Sequence, residues 1–88
     1  MIILVTYNLK PGKSNSSLLF DAIKSQGRWW HYLKNTWLLK TNKSPDEVFD
    51  ALKPYLEDGD RLLVTEMGSN RQGWLPQKAW DWIERHED

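Results

Sequence analysis

The stretch GRWWHYLKNTWLLKT, residues 27–41, decides the fold of this 88-residue chain. It contains three of the six tryptophans, and its two halves, 28–33 and 36–41, are rich in aromatic and other residues that suit β-strands. The intervening pair Lys34-Asn35 fits a two-residue turn, since asparagine tolerates a positive φ. The pattern predicts a β-hairpin.

The segments before the hairpin predict a strand and a helix. Residues 2–8, IILVTYN, form the apolar run expected of a central strand that is paired on both sides. Residues from about 16 to 26 place leucine, alanine and isoleucine at helical spacing. Gly27 follows, where a residue in the left-handed conformation is favoured at a helix end.

The segments after the hairpin predict two helices and a strand. Ser44-Pro45-Asp46-Glu47 matches a capping box with proline at the first helical position, and Val48, Leu52 and Tyr55 form the buried stripe that follows. Residues 61–67, RLLVTEM, predict a fourth strand. Pro76 can open a last helix that runs to about His86.

The predicted order is therefore β-α-β-β-α-β followed by a helix, in one domain over residues 1–88. This is an α+β architecture, the split βαβ arrangement of ferredoxin-like domains with an antiparallel sheet and an additional C-terminal helix from about 76 to 86. The first and third strands should lie centrally and the second and fourth at the edges. Two helices should cover one face of the sheet.

Alternation along the hairpin divides its rings between the two faces. Trp29, His31 and Leu33 should share one face, while Trp30 and Tyr32 share the other. Since only one face lies under the two longer predicted helices, the surplus rings should pack beneath the last helix or against a second chain. A base-stacking platform is the alternative, as in RNA-binding sheets whose exposed aromatics stack on bases.

Composition limits the chemistry that the chain can perform. It lacks cysteine, so thiolate zinc sites, disulfides and thiol nucleophiles are excluded, which suits a cytoplasmic location. The opening MIILV has no basic leader, and no stretch approaches the ~20 apolar residues of a membrane span, so no membrane association is expected. Gly-rich phosphate loops, histidine clusters and Ser-His-Asp spacings are also missing.

Charge is balanced overall but not along the chain. Residues 1–43 carry seven basic residues against Asp21, and residues 44–88 carry eleven acidic against five basic ones. If the first loop and the hairpin lie on one surface, the basic residues of the first half would contact the phosphates of RNA or DNA. This predicted nucleic-acid-binding set is Lys10, Lys13, Arg28, Lys34, Lys40 and Lys43.

Five segments together resemble the SinR-type branch of the small CRISPR-associated ferredoxin-like proteins, a group similar in fold to VapD toxin-type endoribonucleases. These segments are YNLK at 7–10, the tryptophan-rich hairpin at 27–41, the Ser-Pro-Asp-Glu helix start at 44–47, RLLVTEMG at 61–68 and GWLPQKAWDWI at 73–83. The hairpin and the last segment are the most specific. The resemblance implies a homodimer that is associated with RNA or DNA.

The same resemblance carries an expectation about a metal site. Several such proteins are metal-dependent nucleases that would use Mg²⁺ or Mn²⁺, whereas the subunit that partners the CRISPR spacer integrase acts mainly as a bridge that holds DNA. The family's metal-binding carboxylate is an aspartate that ends the first strand, usually after a tyrosine. This chain has Tyr7-Asn8, and an amide offers a hard cation one weak oxygen. The resemblance therefore implies the fold and the dimer more strongly than cleavage, and no cofactor is expected unless the chain is a nuclease.

Three residues remain as candidates for catalysis. His31 could act as a general base, because imidazole titrates near neutral pH. Tyr7 could assist by hydrogen bonding, and Asn8 marks the metal position. Each of these three residues also has a structural interpretation. The pair Glu66 and Asp60 could supply carboxylates, but strand ends and turns collect acidic residues for solvation alone.

Two functions are consistent with these patterns. The first is a homodimeric nucleic-acid-associated protein with weak or lost metal-dependent endonuclease activity. The second is a protein-interaction module, a dimer whose edge strand or acidic C-terminal helix docks another protein, in a phage-defence, counter-defence or toxin–antitoxin system. That module would depend on Trp80, Trp82 or the acidic C-terminal tail.

Overall fold

A computed structural model describes residues 1–13 and 16–87 of the protein. The strands are β1 (Ile2–Asn8), β2 (Arg28–Leu33), β3 (Thr36–Lys40) and β4 (Arg61–Met67). The helices are α1 (Ser16–Lys24), α2 (Pro45–Leu52), which continues into a 3₁₀ turn at Lys53–Tyr55, and α3 (Gln77–His86). The predicted α+β class is confirmed.

One antiparallel sheet of four strands has the order β2-β3-β1-β4. The apolar strand β1 is central, where both of its sides are paired, as the run at residues 2–8 predicts. Strand β3 is the other central strand, and β2 and β4 form the edges.

Helices α1 and α2 pack on one face of the sheet, the first face. Its core joins Ile3, Val5, Tyr7, Trp37 and Leu39 of the central strands to apolar residues of the two helices. The predicted cap of α2 is confirmed, since the Ser44 side chain accepts a hydrogen bond from the Glu47 backbone N–H and the Glu47 carboxylate accepts one from the Ser44 N–H.

Helix α3 packs on the opposite face, the second face. Ala79 and Ile83 are buried there against Ile2, Trp30 and Leu38. The surplus rings of the hairpin therefore pack partly beneath the last helix, one of the two arrangements expected from the sequence. Trp29 and Tyr32 remain 44% and 47% exposed.

One predicted side-chain direction is wrong. Trp30 pairs with Leu38 and Leu33 with Thr36, so His31 and Tyr32 both stand opposite Trp37. This extra residue is a β-bulge, and it breaks the alternation along β2. Leu33 consequently lies on the second face, where it lines a cavity with Trp30 and Leu38.

Three local expectations also need correction. Gly27 does not adopt a left-handed conformation, and Asn35 has no positive φ in the hairpin turn. Gly27 is required for another reason, since a Cβ at this position would overlap the carbonyl oxygen of Lys40. Tyr55 is 38% exposed rather than part of a buried stripe, because α2 ends at Leu52 and the chain turns.

Candidate functional site

The residues predicted for catalysis converge at the end of β1. An open cavity of about 500 Å³ lies there between β1, the β2–β3 turn and the start of α1. Tyr7, Asn8 and His31 all line it, although His31 is more than twenty residues away along the chain. We call this cavity the β1-end pocket; its other lining residues are Leu9, Lys10, Gly12, Lys13, Ser16, Phe20, Lys34 and Asn35.

The orientation of His31 is fixed by two contacts. Its ring stacks on Trp37 with centroids 3.7 Å apart and planes 12° apart. Its Nε2 lies 3.1 Å from the backbone oxygen of Lys34. Because a carbonyl only accepts hydrogen bonds, Nε2 carries a proton, and in the neutral ring Nδ1 is then the acceptor.

Tyr7 is set up as a hydrogen-bond donor. Its phenol oxygen accepts a 2.9 Å hydrogen bond from the indole nitrogen of Trp37, so its own proton is available to another acceptor. Burial raises the pKa of Tyr7, an effect that the bond from Trp37 offsets only in part. The phenol is therefore protonated at neutral pH and does not act as a base.

Two of the predicted phosphate-binding lysines are engaged in ion pairs. The Lys13 side chain is only 2% exposed, and its ammonium lies 2.8 Å from Asp60, 3.0 Å from Glu57 and 3.0 Å from the Tyr55 backbone oxygen. The Lys10 ammonium lies 2.8 Å from Glu57. These contacts tie the β1–α1 loop to the turn before β4, which makes Lys13 a structural residue.

Asp60 is the centre of this ion-pair cluster. It accepts hydrogen bonds from the Lys10 and Glu57 backbone N–H groups at 2.8 and 2.9 Å and from the Lys13 ammonium. These bonds, chiefly the one from the Lys10 backbone, lower the pKa of Asp60 to about 2. The pKa of Lys13 is raised, mainly by its hydrogen bond to Asp60.

The remaining predicted basic residues lie apart. Lys34 lines the β1-end pocket, and within residues 1–13 and 16–87 its ammonium has no acidic partner. Lys43 donates to the side-chain oxygen of Gln26 at 2.8 Å. Arg28 and Lys40 pair in register at the other end of the sheet. The six residues therefore do not form one stripe on a single chain.

The donors of the β1-end pocket do not suit magnesium or manganese. Hard cations prefer carboxylate oxygens, whereas the described lining residues offer two amides, a hydroxyl, a phenol, an imidazole and ammonium groups. In the part of the chain that the structure describes, no group of three or more His, Asp or Glu side chains is placed to hold a metal ion. Glu66, a candidate carboxylate, lines a different cavity near Met1 and Met67.

Comparison with protein-family models, with curated proteins and with solved structures finds no match to the chain. Within the described residues, no helix has the length and apolar character needed to cross a membrane.

A second group of charged and aromatic side chains, which the sequence analysis did not bring together, lies at the corner where β2 begins. Lys24, Gly27, Arg28, Trp29, Trp82, Arg85 and His86 line an open cleft of about 440 Å³ there. Arg28 was predicted to contact nucleic acid and Trp82 to contact a protein partner, but neither was placed at this corner, and Arg85 was not predicted at all, because the approach of α3 to β2 depends on how the helix crosses the sheet.

Proposed function

We propose that the protein is a homodimeric, ferredoxin-like nucleic-acid-binding protein that has lost metal-dependent cleavage. The observation that carries the proposal is the set of donors in the β1-end pocket. Asn8, His31 and Lys34 meet there with the Tyr7 hydroxyl, and none of the described lining residues is acidic. Such a site accepts an anion more readily than a cation.

The ferredoxin-like assignment is supported by the strand order, with β1 and β3 central and two helices on one face. The ferredoxin-like assignment agrees with the resemblance to the CRISPR-associated branch. Because proteins of that family associate with RNA or DNA, we expect the same of this chain. Asn8 stands where that family has its aspartate, so we propose that the pocket binds the backbone and does not activate water through a metal.

Phosphate is the anion that we propose for the pocket. The Lys34 ammonium would supply the charge, while the amide of Asn8 and the hydroxyl of Tyr7 would donate hydrogen bonds to its oxygens. Lys10 and Lys13 add little charge, since Glu57 and Asp60 neutralise them. We therefore expect modest affinity that falls with salt and depends little on base sequence.

The open half of the second face supports the homodimer. Trp74 is fully exposed on the loop before α3, and it is one of the residues that line an apolar cavity of about 280 Å³, with Leu4, Leu33 and Trp30 among the others. The indole nitrogen of Trp30 is buried, and no hydrogen-bond partner for it lies among the described residues. A projecting ring and a recess on one face are self-complementary about a twofold axis, so we propose that Trp74 of each copy enters the cavity of the other.

The second candidate function is a protein-interaction module in a phage-defence, counter-defence or toxin–antitoxin system. The same exposed apolar surface favours it, because large exposed apolar patches mark protein contacts. In this alternative a different protein covers Trp74, and nucleic acid has no effect.

Cleavage and binding assays test the proposed function. End-labelled single-stranded RNA and double-stranded DNA are incubated with magnesium or manganese and the natural chain, Asn8→Asp or Asn8→Ala. We expect the natural chain to bind without cleavage, Asn8→Ala to bind more weakly and without cleavage because it lacks the amide donor, and cleavage by no form other than Asn8→Asp. Cleavage by the natural chain that Asn8→Ala abolishes would contradict the loss of activity, and absence of binding would contradict the function itself.

Light scattering tests the homodimer. We expect the mass of two chains for the natural protein and of one chain for Trp74→Ser. Trp29→Ser, which changes an exposed tryptophan outside this surface, serves as the control and should stay dimeric. A natural chain that is monomeric at high concentration would overturn the homodimer.

A further inference from the structure

The cleft at the start of β2, which we call the β2–α3 corner, is distinct from the β1-end pocket. It lies at the opposite end of the sheet, where the last residue of α1, the first residues of β2 and the last turn of α3 meet. Three of its lining residues, Lys24, Arg28 and Arg85, are cationic, and none of the described lining residues is acidic. The chain as a whole has no net charge.

The cations of the corner are available to a ligand. Within residues 1–13 and 16–87, neither Arg28 nor Arg85 takes part in an ion pair, in contrast to Lys10 and Lys13. A guanidinium presents two parallel N–H groups that match a phosphate. Two such groups on different elements can hold consecutive phosphates.

Aromatic rings lie beside these cations. Trp29 is 44% exposed, and the Lys24 ammonium lies 5.1 Å from the centre of its ring. Trp82 stacks on His86 with ring centroids 4.3 Å apart, and His86 Nδ1 is held 2.8 Å from the Trp82 backbone oxygen. Exposed rings interleaved with cations are the arrangement by which single-stranded nucleic acids are held without sequence preference.

The wall of the corner is fixed in place. The backbone at Gly27 lies so close to the Lys40 carbonyl that no Cβ fits between them. This close approach holds the start of β2 against β3. Arg28 and Trp29 therefore project from backbone that is anchored on its inner side. A preformed site loses less conformational entropy when it binds than a mobile one.

Helix dipoles explain only part of this cluster. Basic residues near a helix C-terminus are stabilising, which accounts for Lys24 on α1 and for Arg85 and His86 on α3. It does not account for Arg28 on a strand or for an exposed indole between the two helices. A ligand that carries both phosphates and aromatic rings accounts for all of them.

We infer that the β2–α3 corner is a binding site for single-stranded nucleic acid, with Arg28 and Arg85 on phosphates and a base against Trp29. This inference deepens the proposed function and rests on it, since it assigns a second contact surface for the same class of ligand. Strand polarity and base identity play no part in such a contact.

Fluorescence anisotropy with a labelled oligouridylate, titrated at several salt concentrations, tests the inference. We expect Arg28→Gln combined with Arg85→Gln to lower the slope of log affinity against log salt by about 1 for each lost phosphate contact. Trp29→Leu should weaken binding by about 5- to 150-fold through loss of stacking. Thermal melts show whether each variant is folded. If Trp29→Leu is unfolded, the arginine variants alone test the site.

Matched controls separate the corner from other surfaces. Lys78→Gln changes a cation at the opposite end of α3, and Tyr32→Leu removes an equally exposed ring at the far end of β2; both should bind like the natural chain. If the arginine variants behave like Lys78→Gln while Lys34→Gln weakens binding, the corner is overturned and the proposed function stands. If no form binds the oligouridylate, the corner site and the proposed function are both overturned. A competition experiment with polyglutamate tests the ligand class: displacement of the oligouridylate at equal charge concentration would overturn the assignment to nucleic acid.

Discussion

The two ends of the sheet carry similar numbers of cations but differ in how many of them are engaged in ion pairs. At the β1 end, Lys10 and Lys13 are held by Glu57 and Asp60, and the Lys13 side chain is buried. At the β2–α3 corner, Arg28 and Arg85 have no ion pair within the described residues. Positive charge along the sequence therefore does not measure the positive charge that a ligand can reach. Acidic residues 44 and 47 positions away fold against the cations of the β1 end and not against those of the corner.

The largest expected effect is on a residue that supports both ends. Trp37 is 2% exposed, its ring packs against His31 and Trp29, and it donates to Tyr7. We expect Trp37→Ala to lower the free energy of unfolding by about 3–5 kcal/mol through the cavity that it leaves. Urea denaturation measures this, and an unchanged midpoint would mean that the ring does not contribute to the core.

The next effect distinguishes a structural lysine from one that a ligand can reach. Lys13→Met leaves Asp60 buried without its counter-ion, and we expect a loss of about 3 kcal/mol in the free energy of unfolding. Lys34→Met, at the same pocket, should change it by less than about 0.5 kcal/mol. Equal effects of the two substitutions in urea denaturation would remove the distinction between them.

A smaller effect tests the anchored wall of the corner. Gly27→Ala places a methyl group against the Lys40 carbonyl, and we expect a cost of about 1–3 kcal/mol as β2 shifts. Gly68→Ala is the matched control, since a Cβ there meets nothing within 4 Å. A Gly27→Ala protein as stable as the control would show that the start of β2 is not anchored by this contact.

Acid should weaken the ion-pair cluster at the β1 end. The pKa of Asp60 falls from 3.8 to about 2 on folding, so its carboxylate stabilises the folded state fully above about pH 4. That contribution is lost as the pH falls from about 4 to 2. Asp60→Asn should remove this part of the dependence of stability on pH, measured by urea denaturation between pH 2 and 6. A natural chain with flat stability over that range would contradict the role of Asp60.

The sequence predicted most of the fold because its signals are local. The capping box at Ser44–Glu47 and the apolar run of β1 depend on neighbouring residues, and both lie where they were expected. Leu33 was assigned to the wrong face because a bulge adds one residue to β2, and nothing in the sequence at His31-Tyr32 marks it. Periodicity alone assumes a regular strand.

The candidate site was predicted less completely, for a related reason. Tyr7, Asn8 and His31 do line one pocket. The predicted strand order accounts for this, because it places the end of β1 beside the β2–β3 hairpin. The burial of Lys13 depends on Asp60, and the corner depends on where α3 places Arg85; both are contacts between distant segments. Sequence reasoning identified Arg28 but not the partners that make it part of a site.

The most direct test compares one cation from each end. Lys10→Gln and Arg28→Gln each remove a single charge, and the binding of a labelled oligouridylate is measured from low to physiological salt. We expect the slope of log affinity against log salt to stay unchanged for Lys10→Gln, whose charge Glu57 already neutralises, and to fall by about 1 for Arg28→Gln. A lower slope for Lys10→Gln with an unchanged slope for Arg28→Gln would contradict the assignment of available charge to the β2–α3 corner.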